Sequence, residues 1–81
     1  MAEHTYTVKA EWDDEASVWV ATSDDVPGLV TEAATMERLM EKLRLMVPEM
    51  LELNGVLPAD AAAWAPFKVI AERLEQPRAV A

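Results

Sequence analysis

The stretch Thr35-Met-Glu-Arg-Leu-Met-Glu-Lys-Leu-Arg-Leu-Met-Val-Pro-Glu-Met-Leu-Glu-Leu-Asn54 decides the fold. At about 100° per residue, Met36, Leu39, Met40, Leu43, Met46, Val47, Met50, Leu51 and Leu53 share one arc, whereas Glu37, Arg38, Glu41, Lys42, Arg44, Glu49 and Glu52 share the other. That pattern predicts an amphipathic helix. Thr35 suits the N-cap, because its hydroxyl can accept one of the first unpaired N–H groups. Arg38 stands where a capping box would place Glu or Gln. Asn54-Gly55 supplies the stop, since glycine takes the left-handed conformation common at helix ends. Pro48 removes the N–H that would bond the Arg44 carbonyl and lies on the polar side. A bend toward the apolar face is expected there; two shorter helices divided near Val47 are the alternative.

The apolar arc spans roughly 160°, against the ~100° that one sheet contact requires. Part of it is therefore expected to meet something besides its own sheet. Leu45 stands alone on the charged side, where it is either an ordinary exposed leucine or a contact point for a partner.

Working outward toward the N-terminus, residues 29–33 read as a short strand leading into the helix. Val26-Pro27-Gly28-Leu29 precedes it with proline second and glycine third, the arrangement of a type II turn. Residues 17–22 form an apolar strand whose facing is ambiguous. If Val18 and Val20 face the helix, Trp19 and Ala21 lie on the opposite side of the sheet. Residues 5–12 alternate, with Tyr6, Val8, Ala10 and Trp12 pointing one way and Thr5, Thr7, Lys9 and Glu11 the other. Asp13-Asp14-Glu15-Ala16 links these two strands as a hairpin.

Beyond Gly55, residues 56–66 read as a connector with one helical turn capped by Asp60. Residues 67–74 form a fourth strand, Phe67, Val69 and Ala71 alternating against Lys68, Ile70 and Glu72. Residues 76–81 read as a frayed tail. The order β-β-β-α-β predicts an α+β fold: a three-stranded antiparallel meander, one long helix, and a fourth strand parallel to the first in the order 3-2-1-4. The helix covers one sheet face and nothing in the chain covers the other.

With 81 residues the chain is read as one domain with its core in residues 5–75, near the size where a single core yields a few kcal/mol. It has no cysteine, which excludes disulfides and thiolate metal sites and leaves self-association as a means of support. The formal net charge of -8 opposes affinity for nucleic acid or anionic membranes and favours a basic protein partner. The N-terminal residues have neither the basic nor the apolar region of a signal peptide, and no apolar run is long enough for a membrane span. A cytoplasmic protein is the expectation.

No catalytic, cofactor-binding or metal-ligating set is expected. Asp13, Asp14 and Glu15 fall in one link and Asp24 and Asp25 in the next, so a meander puts them at opposite ends of the sheet. His4 is the lone histidine, and neither a glycine-rich phosphate loop nor a serine elbow is present. Trp12 and Trp64 are read as core or capping residues. Trp19 is the aromatic that the uncovered sheet face would present, and aromatics are enriched where partners bind.

The strand Tyr6-Thr7-Val8, the acidic hairpin, Val18-Trp19-Val20-Ala21, the Asp25-Val26-Pro27-Gly28-Leu29 turn, Val30-Thr31-Glu32-Ala33 and a helix opened by Thr35 resemble the HicB-like antitoxin superfamily. Glu11-Trp12-Asp13 together with Leu53-Asn54-Gly55 resembles a compact branch of it. The resemblance implies a partly degraded ribonuclease-H-like fold without nuclease activity. It also implies a domain that binds and masks a small basic RNA-cleaving toxin, HicA. The DNA-binding tail of many such antitoxins has no counterpart after Leu74, so direct nucleic-acid binding is not expected. The expected function is a non-enzymatic protein–protein interaction module; the alternative is a stand-alone homo-oligomeric domain without a toxin partner. Trp19, Ala21 and Leu45 are the candidate interface residues.

Overall fold

The computed structural model describes residues 4–78. Three strands, β1 (Tyr6–Asp13), β2 (Val18–Thr22) and β3 (Val30–Ala33), precede the helix α1 (Met36–Leu53); a short helix, α2 (Ala59–Ala62), and β4 (Phe67–Glu72) follow it. They form a four-stranded sheet in the order β3-β2-β1-β4. β1 pairs antiparallel with β2 and parallel with β4, and β2 pairs antiparallel with β3. This is the topology that the element order and the helical crossover dictate.

α1 runs unbroken through Pro48. The Thr35 hydroxyl accepts the Arg38 N–H at 3.1 Å, so the N-terminus is capped although no capping-box carboxylate is present. At the other end Gly55 takes a φ of 69°, and Asn54 turns its side-chain amide to the Pro27 carbonyl at 3.0 Å and the Met50 carbonyl at 3.0 Å. The helix end is thereby tied to the turn before β3. That turn has Gly28 at φ 78° and a Leu29 N–H to Val26 carbonyl bond of 3.2 Å, as a type II turn requires. A second tie from the helix runs from Lys42 Nζ to the Glu32 carbonyl at 2.6 Å.

The core lies between α1 and one sheet face. Leu39, Leu43, Val47 and Leu51 of α1, spaced four residues apart, bury fully against Val8 and Ala10 of β1, Ala21 of β2, and Val26 and Leu29 of the turn. Ala62 of α2 closes one end. The turn Asp60 was expected to cap is capped differently: Pro58 holds the N-cap position without a side-chain bond, and Asp60 lies in the first turn. An acidic residue there still favours the positive end of the helix dipole. Of the expected tail, residues 76–78 carry no regular structure, and residues 79–81 lie outside the described residues.

Candidate functional site

The pairing settles which side of the sheet each residue occupies. Ala10 stands opposite Ala21 and Trp12 opposite Trp19, and directly opposed residues share a face. Tyr6, Val8 and Ala10 are the buried, helix-facing residues of β1. Trp19 and Ala21 therefore lie on the covered face, and Val18 and Val20 on the open one. Ala21 is fully buried and cannot touch a partner, which corrects its place among the interface candidates. Trp19 is half-buried against the core and meets Trp12 edge to face, ring centroids 5.5 Å apart. The apolar run of β2 concealed this: with Val18, Trp19, Val20 and Ala21 in succession, alternation carries no facing signal.

Trp12 is itself held from two sides. The Asp14 carboxylate accepts its indole N–H at 3.1 Å, and the Arg73 guanidinium sits 4.2 Å from its ring centroid. The aromatic pair thus joins the β1–β2 hairpin to the end of β4. Trp64, expected in the core or capping it, is 85% exposed. It lines an open hollow of about 280 Å³ with His4, Tyr6, Leu57, Ala61 and Ala65. Leu45 is 72% exposed on the charged side of α1, as its helical position requires.

The open face carries Thr7, Lys9, Glu11 and Asp13 from β1, Val18, Val20 and Thr22 from β2, Val30 and Glu32 from β3, and Lys68, Ile70 and Glu72 from β4. Val20, in the middle of β2, is half-buried; Val30 is 66% and Ile70 47% exposed. Cross-strand pairing sets Val20 between Glu11 and Glu32, with Val30 diagonal to it across Thr22, while Ile70 lies beyond Lys9 on the far strand. Sequence reasoning passed over Val30 and Ile70. Strand alternation pointed to Ile70, which falls in the Lys68 and Glu72 set, but without the facing of β2 that set had no assigned surface.

Two of the loop carboxylates, Asp13 and Asp25, serve the backbone. Asp13 Oδ1 accepts the Glu15 and Ala16 N–H groups at 3.1 and 3.2 Å, stabilising the hairpin in which Ser17 adopts a φ of 55°. Asp25 Oδ2 accepts the Thr7 N–H at 2.8 Å, while the Ser23 hydroxyl donates to the Thr7 carbonyl at 2.6 Å. These side chains continue the β1 ladder past the last residue of β2. The acidic groups stand at opposite sheet ends, and among the described residues no group of three or more His, Asp or Glu is placed to hold a metal ion.

Among the described residues a single side-chain ion pair occurs, Arg73 Nε to Glu75 at 2.6 Å. No charged side chain is buried there. The negative charge is consequently displayed at the surface, mostly without local compensation.

A protein-family model for a domain of unknown function, DUF1902, matches residues 5–81. The chain belongs to the DUF1902 family. Among solved structures, the hypothetical protein TTHA1013 from the extremely thermophilic bacterium Thermus thermophilus is 51% identical to it. The match covers 93% of this chain and 99% of that one, with a TM-score of 0.68. No curated protein matches. No helix among the described residues is long and apolar enough to cross a membrane.

Proposed function

We propose that this DUF1902 domain is a non-enzymatic, cytoplasmic protein–protein interaction module of the HicB-like kind, masking a small basic protein such as an RNA-cleaving toxin. The observation that carries the reading is the excess of exposed, unpaired carboxylates. A surface with a net charge of -8 and one internal ion pair among the described residues attracts a basic partner over long range and leaves its carboxylates free to pair on contact. The open sheet face is the receiving surface. It sets Val20 and its diagonal neighbour Val30 beside Glu11 and Glu32, so that apolar contact and charge pairing are offered side by side.

The test is capture from the source organism with the full chain as bait, run beside a Glu11→Lys, Glu32→Lys double variant. Under this reading the wild type retains a stoichiometric basic protein that high salt releases. The variant retains it at least about tenfold more weakly, because both reversals face the bound cations. Equal retention by the two baits would exclude the open face, and retention of no basic protein would remove the antitoxin-like role.

A further inference from the structure

The outer edge of β4 is the second unfinished surface of the sheet. Among the described residues no strand lies beyond it. Its hydrogen-bonding phase follows from two facts: Tyr6 stands opposite Phe67, and the Tyr6 N–H donates to the Pro66 carbonyl at 3.0 Å. In a parallel pair alternate residues aim their N–H and C=O groups to opposite sides. Lys68, Ile70 and Glu72 therefore bond to β1, and the backbone groups of Phe67, Val69 and Ala71 point away from the sheet.

β4 spans six residues without proline or a bulge, so the edge is long and regular. Its sequence Lys68-Val69-Ile70-Ala71-Glu72 reads the same in charge and polarity when one copy is reversed and its signs inverted. We propose that β4 pairs antiparallel with β4 of a second copy about a two-fold axis at Ile70, joining two sheets into one. In that register Lys68 faces the partner's Glu72 and Ile70 faces the partner's Ile70. Val69 exchanges both backbone bonds with the partner's Ala71. Ile70 falls at a non-hydrogen-bonded position, where opposed side chains approach most closely, and its 47% exposure in the single chain is covered.

Neighbouring registers are worse. With the axis at Val69 or Ala71, Ile70 faces Lys68 or Glu72; with the axis at Lys68 or Glu72, like charges oppose each other directly. On the covered side, Phe67 and Val69 are half-buried and pack against the core cluster, so the partner's strand continues an existing apolar surface. The pairing leaves Glu11 and Glu32 unused, and it stands or falls independently of a basic partner on the open face.

Sedimentation of the full chain across micromolar concentrations tests this, with circular dichroism to confirm folding. The wild type is expected as a reversible dimer. Lys68→Glu, which sets carboxylates opposite each other twice, weakens it roughly tenfold or more. Adding Glu72→Lys to that variant re-forms both ion pairs and restores the dimer. A wild type that stays monomeric at high micromolar concentration overturns the proposal. So does a Lys68→Glu dimer as tight as the wild type, which would make Lys68 a guard against edge pairing and place self-association elsewhere. A folded double variant that remains monomeric also overturns it.

Discussion

The two faces of the sheet differ sharply in what they meet. On the covered face Val8, Ala10 and Ala21 are sealed by the leucine row of α1, whereas on the open face Val30 and Ile70 remain in water. Strands of similar composition supply both sides. The difference comes from the single crossover helix, which can shield one face of a four-stranded sheet and leaves the other in solvent. Residues that hold the fold therefore point in, and under the proposed function the residues that meet a partner point out.

The strongest way to break the covered half is Leu43→Ala. Leu43 is fully buried at the middle of the α1 row, so removing its isobutyl group loses transfer free energy and leaves a cavity that the flanking Leu39 and Val47 cannot fully close. A loss of about 2–5 kcal/mol is expected. Against the roughly 3–5 kcal/mol that a single core of this size supplies, that loss takes most of the stability. Urea titration followed by circular dichroism measures it. A loss under about 1 kcal/mol would mean that the helix contributes little to the covered face.

An intermediate effect is expected where the helix is tied to the meander. Gly28 has a φ of 78°, and a Cβ there would lie 2.7 Å from Met50 Cε. The methyl end of Met50 can swing aside, so most of the cost of Gly28→Ala is the left-handed backbone, about 1–2 kcal/mol. Gly55 has a φ of 69° and open space around its would-be Cβ. Gly55→Ala therefore bears the conformational cost without the contact. The difference between the two midpoints, in the same urea titration, isolates the packing of the turn against the helix end; identical midpoints would show that Met50 moves without cost.

The helix and its caps and the alternation in β1 and β4 were legible because each rests on local chemistry, and the strand order followed from the crossover rule. Threonine before a helical period, Pro27-Gly28 in a turn, and alternation in β1 each act within a few residues. The facing of β2 was not legible, because Val18, Trp19, Val20 and Ala21 are all compatible with burial and the choice is made by β1 through its hairpin register. Trp64 misled for a related reason. Large aromatics usually dominate small cores, but the Ala-rich α2 turns its small Ala62 inward and leaves Trp64 outside. The Thr7 to Asp25 bond was also beyond reach, since it joins residues 18 apart and depends on the loop after β2 folding back on β1.

The smallest effect is the most discriminating for the open face. Val30 is 66% exposed on β3, and threonine keeps its β-branched shape while replacing one methyl by a hydroxyl that water can satisfy. In an isolated chain Val30→Thr should change stability by no more than about 0.5 kcal/mol. Thermal melts at two protein concentrations decide what that number means. An unchanged melt at both confirms that this side of the sheet is free in the isolated chain and available to a partner of different chemistry. A loss above about 1 kcal/mol that grows with protein concentration would instead mean that copies of the chain already cover Val30. The contrast between the two faces would then belong to the single chain and disappear in its assembly.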